Sequence, residues 1–451
     1  MTARRSLRPC LVAWGAWLAL LAGAVPARAQ LGCDPLPPPA GPILEVGPEA
    51  AGDLAGIVTG AASGTTVLLD DGTYDLGCGD AGCRLAFATP GVTLRSASGN
   101  RDAVVLDGAY ATNELVSIYA SNVVVADLTL RRAYDHPVHV SGGPGAPIQG
   151  ILLHNLRVVD PGQQAIKVNP DGDGYVDYST VECCSIELSD VGRTYIRDSC
   201  YTGGIDVHQA RGWLVRRNRV QGFWCEDGLS EHGIHFWKGS RDTVVEENLI
   251  LDCARGIGFG LGSTGEARQY PDDPYPGVGY KGHIDGVIRN NFVAAADGGL
   301  QASPDGFDTG IGLEQAYGAD LLHNSVASTL PPRSSSIEWR FPNSVIELDN
   351  NLATAALLAR DGASATAAGN LEEVPLPWME DVAVGDLHLT EAAAAAVNGG
   401  VPLVPGACDT DFDGEPRDAE PDVGGDELSP PEIFSDGFES GDTGAWSAVV
   451  P

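Results

Sequence analysis

The chain has 451 residues, a formal net charge of −34, 58 glycines, 30 prolines and only 7% aromatic residues. So acidic a balance excludes a nucleic-acid-binding surface, whose footprint is basic. The glycine and proline content points to a turn-rich β protein and away from a helical bundle. The first segment in chain order, residues 1–29, reads as a signal peptide. Arg4, Arg5 and Arg8 precede an apolar run from Leu11 to Val25, and Ala27-Arg28-Ala29 supplies small residues at the cleavage positions. The sequence thus predicts a secreted or cell-surface protein. No later stretch approaches the roughly 20 apolar residues of a membrane span.

Cysteines beyond Cys10 would form disulfides in an oxidising compartment. Cys78 and Cys83 bracket a Gly-Asp-Ala-Gly turn and are the first expected pair. Cys225–Cys253 and a bridge from Cys183 or Cys184 to Cys200 are further expectations, with one thiol left over.

The central part of the chain carries an irregular repeat. AIKVN (165–169), GIDVH (204–208), GIHFW (233–237), GIGFG (256–260), GIGLE (310–314) and SIEWR (336–340) share small, isoleucine, variable, apolar, variable, and VHVS (138–141) is a degenerate member. Period-2 alternation marks strands with one buried face. A second pattern, aliphatic-polar-polar-Asn-any-aliphatic, recurs at 215–220, 245–250, 288–293 and 321–326, with a looser copy at 152–158. One strand cannot cover its own apolar face, whereas stacked copies bury a continuous core. The fold class is therefore all-β, a single-stranded parallel β-helix over residues 34–428. Asn155, Asn218, Asn248, Asn291 and Asn324 read as structural, turning the chain and bonding to the next coil.

With Ile166, Ile205, Ile234, Ile257, Ile311 and Ile337 inward, their neighbours form outward columns stacked about 4.8 Å apart. The first column reads His139, Lys167, Asp206, His235, Gly258, Gly312, Glu338; the second reads Ser141, Asn169, His208, Trp237, Gly260, Glu314, Arg340. Lys167, Asp206, His208 and His235 are candidate catalytic residues, joined by Arg255, whose guanidinium suits a carboxylate. Trp237 offers an aromatic face to a sugar ring, and Asn169, Gly258, Gly260, Glu314 and Arg340 complete a candidate polysaccharide-binding groove. In this reading Gly258 and Gly260 form an open floor, and the small residues opening each strand widen the groove. Either Lys167 or His208 is the expected base of a uronate-directed elimination or C5 epimerisation. Two alternatives stay open: a non-catalytic carbohydrate-binding or surface protein, and a glycoside hydrolase using Glu314 and Glu338.

On these motifs the chain resembles the pectin-lyase-like superfamily of right-handed parallel β-helix proteins. The resemblance implies an N-terminal helical cap at Ala50–Thr59, a first strand in TTVLLDDGTYDL (65–76) and a closing motif in DFDGEPR (411–417) and DVGGDE (422–427). It also brings in calcium, used beside the substrate by many β-helix lyases. Asp171, Asp173 and Asp177 have a spacing that can wrap one Ca2+. Asp409, Asp411, Asp413 and Glu420 match an EF-hand spacing, but Pro416 favours the structural closing motif. Thr390–Val397, with five consecutive alanines, is expected to form a short C-terminal helix, and residues 429–451 a separate flexible tail or sorting segment. A monomer is expected.

Overall fold

The small-Ile-x-apolar-x repeats become strands because alternate side chains need burial and each strand satisfies its backbone only against the coils above and below. In the computed structural model, which describes residues 33–143 and 146–428, the chain winds into a right-handed parallel β-helix. Three long parallel sheets, one of 14 strands and two of 10, run along it. A typical coil contributes Leu214–Arg216, Arg219–Gln221 and His232–Trp237, one strand to each sheet. The segments read as signal peptide (1–29) and tail (429–451) lie outside the described residues. No helix among the described residues is long and apolar enough to cross a membrane.

The functional sheet holds β1 (His136–Ser141), β2 (Gln164–Asn169), β3 (Gly203–His208), β4 (His232–Trp237), β5 (Arg255–Phe259), β6 (Thr309–Glu314) and β7 (Ser335–Arg340). Its register is the one the repeat implies: Ile166↔Ile205↔Ile234↔Ile257↔Ile311↔Ile337, with Lys167↔Asp206↔His235↔Gly258↔Gly312↔Glu338 beside it. All six isoleucines are fully buried. The expected N-terminal cap is a seven-residue helix, Leu54–Gly60, which buries Leu54 and Val58.

Asparagines stitch the coils together, with one correction. The side-chain amide of Asn218 donates to Asn248 Oδ1, that of Asn248 to Asn291, of Asn291 to Asn324, of Asn324 to Asn351 and of Asn351 to Asn370, each at 2.9–3.0 Å. Asn155 is not a rung. It stands one position earlier, at a left-handed φ of 49°, and bonds to Asp127; Leu156 holds the ladder position of that coil and Cys184 that of the next, where its backbone N–H donates to Asn218 Oδ1.

Three other expectations are corrected. Cys78–Cys83 is bridged as expected, but Cys200 pairs with Cys225 and Cys183 with Cys33, while Cys184, Cys253 and Cys408 are buried free thiols. Thr390–Val397 forms turns instead of a helix, because Asn398 N donates to Asp422 and Val423 N to the Ala396 carbonyl, which hold the segment against the closing motif. The small residues opening each strand do not widen a groove. A Cβ on Gly256 would meet Val293 at 2.8 Å, and one on Gly310 the Ser336 carbonyl at 2.7 Å, so the glycines permit coil-on-coil packing.

Candidate functional site

Three successive coils bring the predicted polar residues to one point, and that point is buried. Lys167 and Asp206 are 3% and 2% exposed, and His235 is completely enclosed. The Lys167 ammonium donates to Asp206 Oδ2 and to the Tyr201 hydroxyl at 3.0 Å, and lies 3.1 Å from His208 Nε2. Asp206 also accepts the Trp237 indole N–H at 2.9 Å, and its Oδ2 lies 3.2 Å from His208 Nε2. His235 Nε2–H donates to the Gly260 carbonyl at 3.0 Å, and its Nδ1 lies 3.7 Å from Asp206 Oδ1. Asp206 is thus the hub joining Lys167, His208, Trp237 and His235.

The charges follow from that geometry. Burial alone would raise the Asp206 carboxyl, but Lys167 and His208 hold it far below the usual carboxylate range. Burial would lower the Lys167 ammonium, yet Asp206 outweighs it and raises Lys167 above its ordinary value. Burial pushes His208 down despite Asp206, so His208 is neutral at neutral pH. Burial thus favours neutral His208, while Asp206 favours charged Lys167.

Gly258 is not an open floor. The imidazole of His232, one outward position upstream of the repeat, fills the space: a Cβ on Gly258 would lie 2.6 Å from His232 Nε2. Burial holds His232 neutral, well below its ordinary value. Gly260 keeps its predicted place but acts through its carbonyl, at a left-handed φ of 76°.

Beyond the glycine coil lies a cavity of about 280 Å3. Arg255, Arg340 and Arg360 line it with Glu314, Glu338 and Asp308, and His232 and Gly312 form part of its wall. Arg255 is anchored through Nε and Nη2 to the Ser230 carbonyl at 3.0 and 2.7 Å. Glu314 is paired with Arg340 at 3.2 Å, and Glu338 with Arg360 at 2.7 Å. Burial raises the Asp308 carboxyl. Asn169 ends the Lys167 strand, on the side of the cluster away from the cavity, and bonds to His139 at 3.4 Å. Trp237 is half-buried, edge-on to His208, with the Lys238 ammonium over its ring.

The expected calcium ligands are not brought together. Arg268 takes both Asp177 oxygens, at 2.6 and 2.9 Å, and buries them. Asp171 and Asp173 remain on an exposed turn closed by hydrogen bonds between Asp171 and Gly174. The ordinary turn chemistry of Asp-Gly pairs accounts for that loop. The EF-hand-like segment is likewise structural, since Asp411 accepts the backbone N–H groups of Asp413, Glu415 and Glu427.

No family model matches the chain, and no curated protein matches it. Solved structures do. A pectate lyase, Pel9A, superposes with a TM-score of 0.54 at 13% identity, covering 86% of this chain and 96% of that one. A lacto-N-biosidase from Eubacterium ramulus gives 0.48 at 12% identity, covering 74% and 68%. A mannuronic-acid-specific family 6 polysaccharide lyase from human gut microbiota gives 0.42 at 13%, covering 73% and 80%. With its three parallel sheets, inward isoleucines and asparagine ladder, the chain folds as a right-handed parallel β-helix.

Proposed function

We propose that this is an exported enzyme acting on an acidic polysaccharide, by proton abstraction at C5 of a uronate residue followed by β-elimination or epimerisation. The observation that carries the reading is the convergence of Lys167, His208, Trp237 and His235 on Asp206, close along one sheet to a cavity lined by three arginines. Buried, mutually charged groups with shifted pKa values beside a cleft mark catalytic candidates. In this reading Asp206 holds the Nε2–H of neutral His208, leaving Nδ1 to take the proton. Lys167 stays protonated, offsetting the Asp206 charge and opposing the carbanion's. Arg255, which is held by the Ser230 carbonyl and not by a carboxylate, faces the uronate carboxylate, while Arg340 and Arg360 are held by Glu314 and Glu338. In elimination the C5 electron pair forms the C4=C5 double bond, and the glycosidic oxygen leaves C4 and takes a proton from water.

Nothing in the geometry favours hydrolysis, because Glu314 and Glu338 are each committed to an arginine. The test is ultraviolet absorbance from unsaturated ends on a panel of uronate polymers, with and without Ca2+, using Lys167→Ala and His208→Ala as controls. The lyase reading expects signal from the wild type and loss in His208→Ala. Silence on every polymer removes it.

A further inference from the structure

We propose that Glu231, His232 and His235 form a binding site for a divalent transition-metal ion of the zinc type. One ligand atom from each lies within 4.8 Å of the other two, and Glu231 Oε2 is 3.7 Å from His235 Nδ1. Glu231 Oε2, His232 Nδ1 and His235 Nδ1 are buried, and none has a hydrogen-bond partner. Buried polar atoms are almost always paired, so three orphans in one cluster need an explanation.

The tautomer of His235 points the same way. Gly260 O can only accept, so His235 carries its proton on Nε2 and turns the Nδ1 lone pair toward Glu231 and His232. Histidines that ligate metals characteristically donate their other ring N–H to a carbonyl in this manner. Two imidazole nitrogens and one carboxylate suit zinc and its neighbours better than calcium, which takes oxygens. Asp206 Oδ1, 3.7 Å from His235 Nδ1, adds negative charge nearby.

Two other side-chain groups among the described residues are equally compact, and both are self-satisfied. Cys33, His154 and Glu182 include a disulfide-bonded cysteine and a His154–Glu182 hydrogen bond of 2.9 Å. In the cluster of His388, Asp413 and Asp426, both ring nitrogens of His388 are already paired, with Asp386 and Asp413. The Glu231 group alone of the three leaves its ligand lone pairs open. His232 also lines the arginine-rich cavity, so a bound ion would stand between that cavity and the Asp206 hub.

Full-length exported protein, stripped with chelator and dialysed, is titrated with Zn2+ by calorimetry and with Co2+ by visible absorption. The site predicts one equivalent bound, a rise in Tm with Zn2+ but not with Ca2+, and at least tenfold weaker binding in Glu231→Gln, His232→Ala and His235→Ala. Circular dichroism and the metal-free Tm identify any variant that fails to fold. Because those variants can fail, crystals soaked in Zn2+ provide an independent reading, with an anomalous peak expected between the two imidazoles and Glu231. No stoichiometric binding, unchanged affinity in folded variants, or a peak only elsewhere overturns the site.

Discussion

His232 rests directly over Gly258, so close that a Cβ on the glycine would lie 2.6 Å from His232 Nε2. A glycine in a strand often marks such an approach, because any larger residue displaces the group above it. Gly258→Ala is therefore expected to push the imidazole aside and to cost about 1–3 kcal/mol, the usual penalty for overpacking. Urea denaturation measures the cost, and a crystal structure of the variant shows whether the ring has moved. An unmoved ring with unchanged stability contradicts the packing described.

Asp206 compensates a buried ammonium. Asp206→Asn leaves Lys167 charged without its counterion, and removing one partner of a buried pair costs about 3–5 kcal/mol. Adding Lys167→Met should recover a large part of that loss. A double-mutant cycle by chemical denaturation reads the coupling, and additive single-mutant effects would show that the pair is not coupled.

Asn291 is a central rung of the asparagine ladder, accepting from Asn248 and donating to Asn324, Val245 and Arg289. Asn291→Ala strands donors on the coil beneath and acceptors on the coil above, at about 1–3 kcal/mol for each buried group left unpaired. The expected result is a fall in Tm and faster amide exchange at Asn248. The same change at Asn155, outside the ladder, should cost much less.

His388 ties the closing motif to the last coils. Burial alone would lower its pKa, but hydrogen bonds to Asp386 and Asp413 prevail and push it up to about 10. A raised folded-state pKa means that the stabilisation is complete below the unfolded value of about 6.5 and is lost as pH rises toward about 10. Relative to His388→Gln, the wild type should be more stable at pH 6 by on the order of a few kcal/mol, with the gap closing through pH 8 and 9. Urea midpoints across that range test the sign, and a gap that widens with pH refutes it.

The repeat made the solenoid and its register readable because inward isoleucines at period 2 leave no freedom over which side chains share a face. The convergence of Lys167, Asp206, His208, His235 and Trp237 follows directly from that register. What covers them was not readable. Tyr201 and Glu231 come from loops between strands, where no periodicity constrains position, and loops joined by Cys200–Cys225 fold back over the sheet. His232 lies one position before the small residue that opens the repeat, outside the period that places the outward columns. The Glu231-His232-x-x-His235 spacing was the signal that marked it. Asp308 reaches the cavity from just before a motif strand, and Arg360 from the next coil's strand, Leu357–Arg360, which is in register with Arg340 but lacks the motif's isoleucine.

The measurement closest to the central claim is exchange of the uronate C5 proton, because elimination and epimerisation both begin with its removal. Polymers incubated in D2O are read by NMR for deuterium at C5 and for unsaturated or inverted residues. The account predicts deuterium or unsaturation with the wild type on at least one uronate polymer, and a rate at least a hundredfold lower with His208→Ala. No C5 chemistry on any polymer, with Ca2+ or Zn2+ supplied, or full activity in His208→Ala, would contradict it.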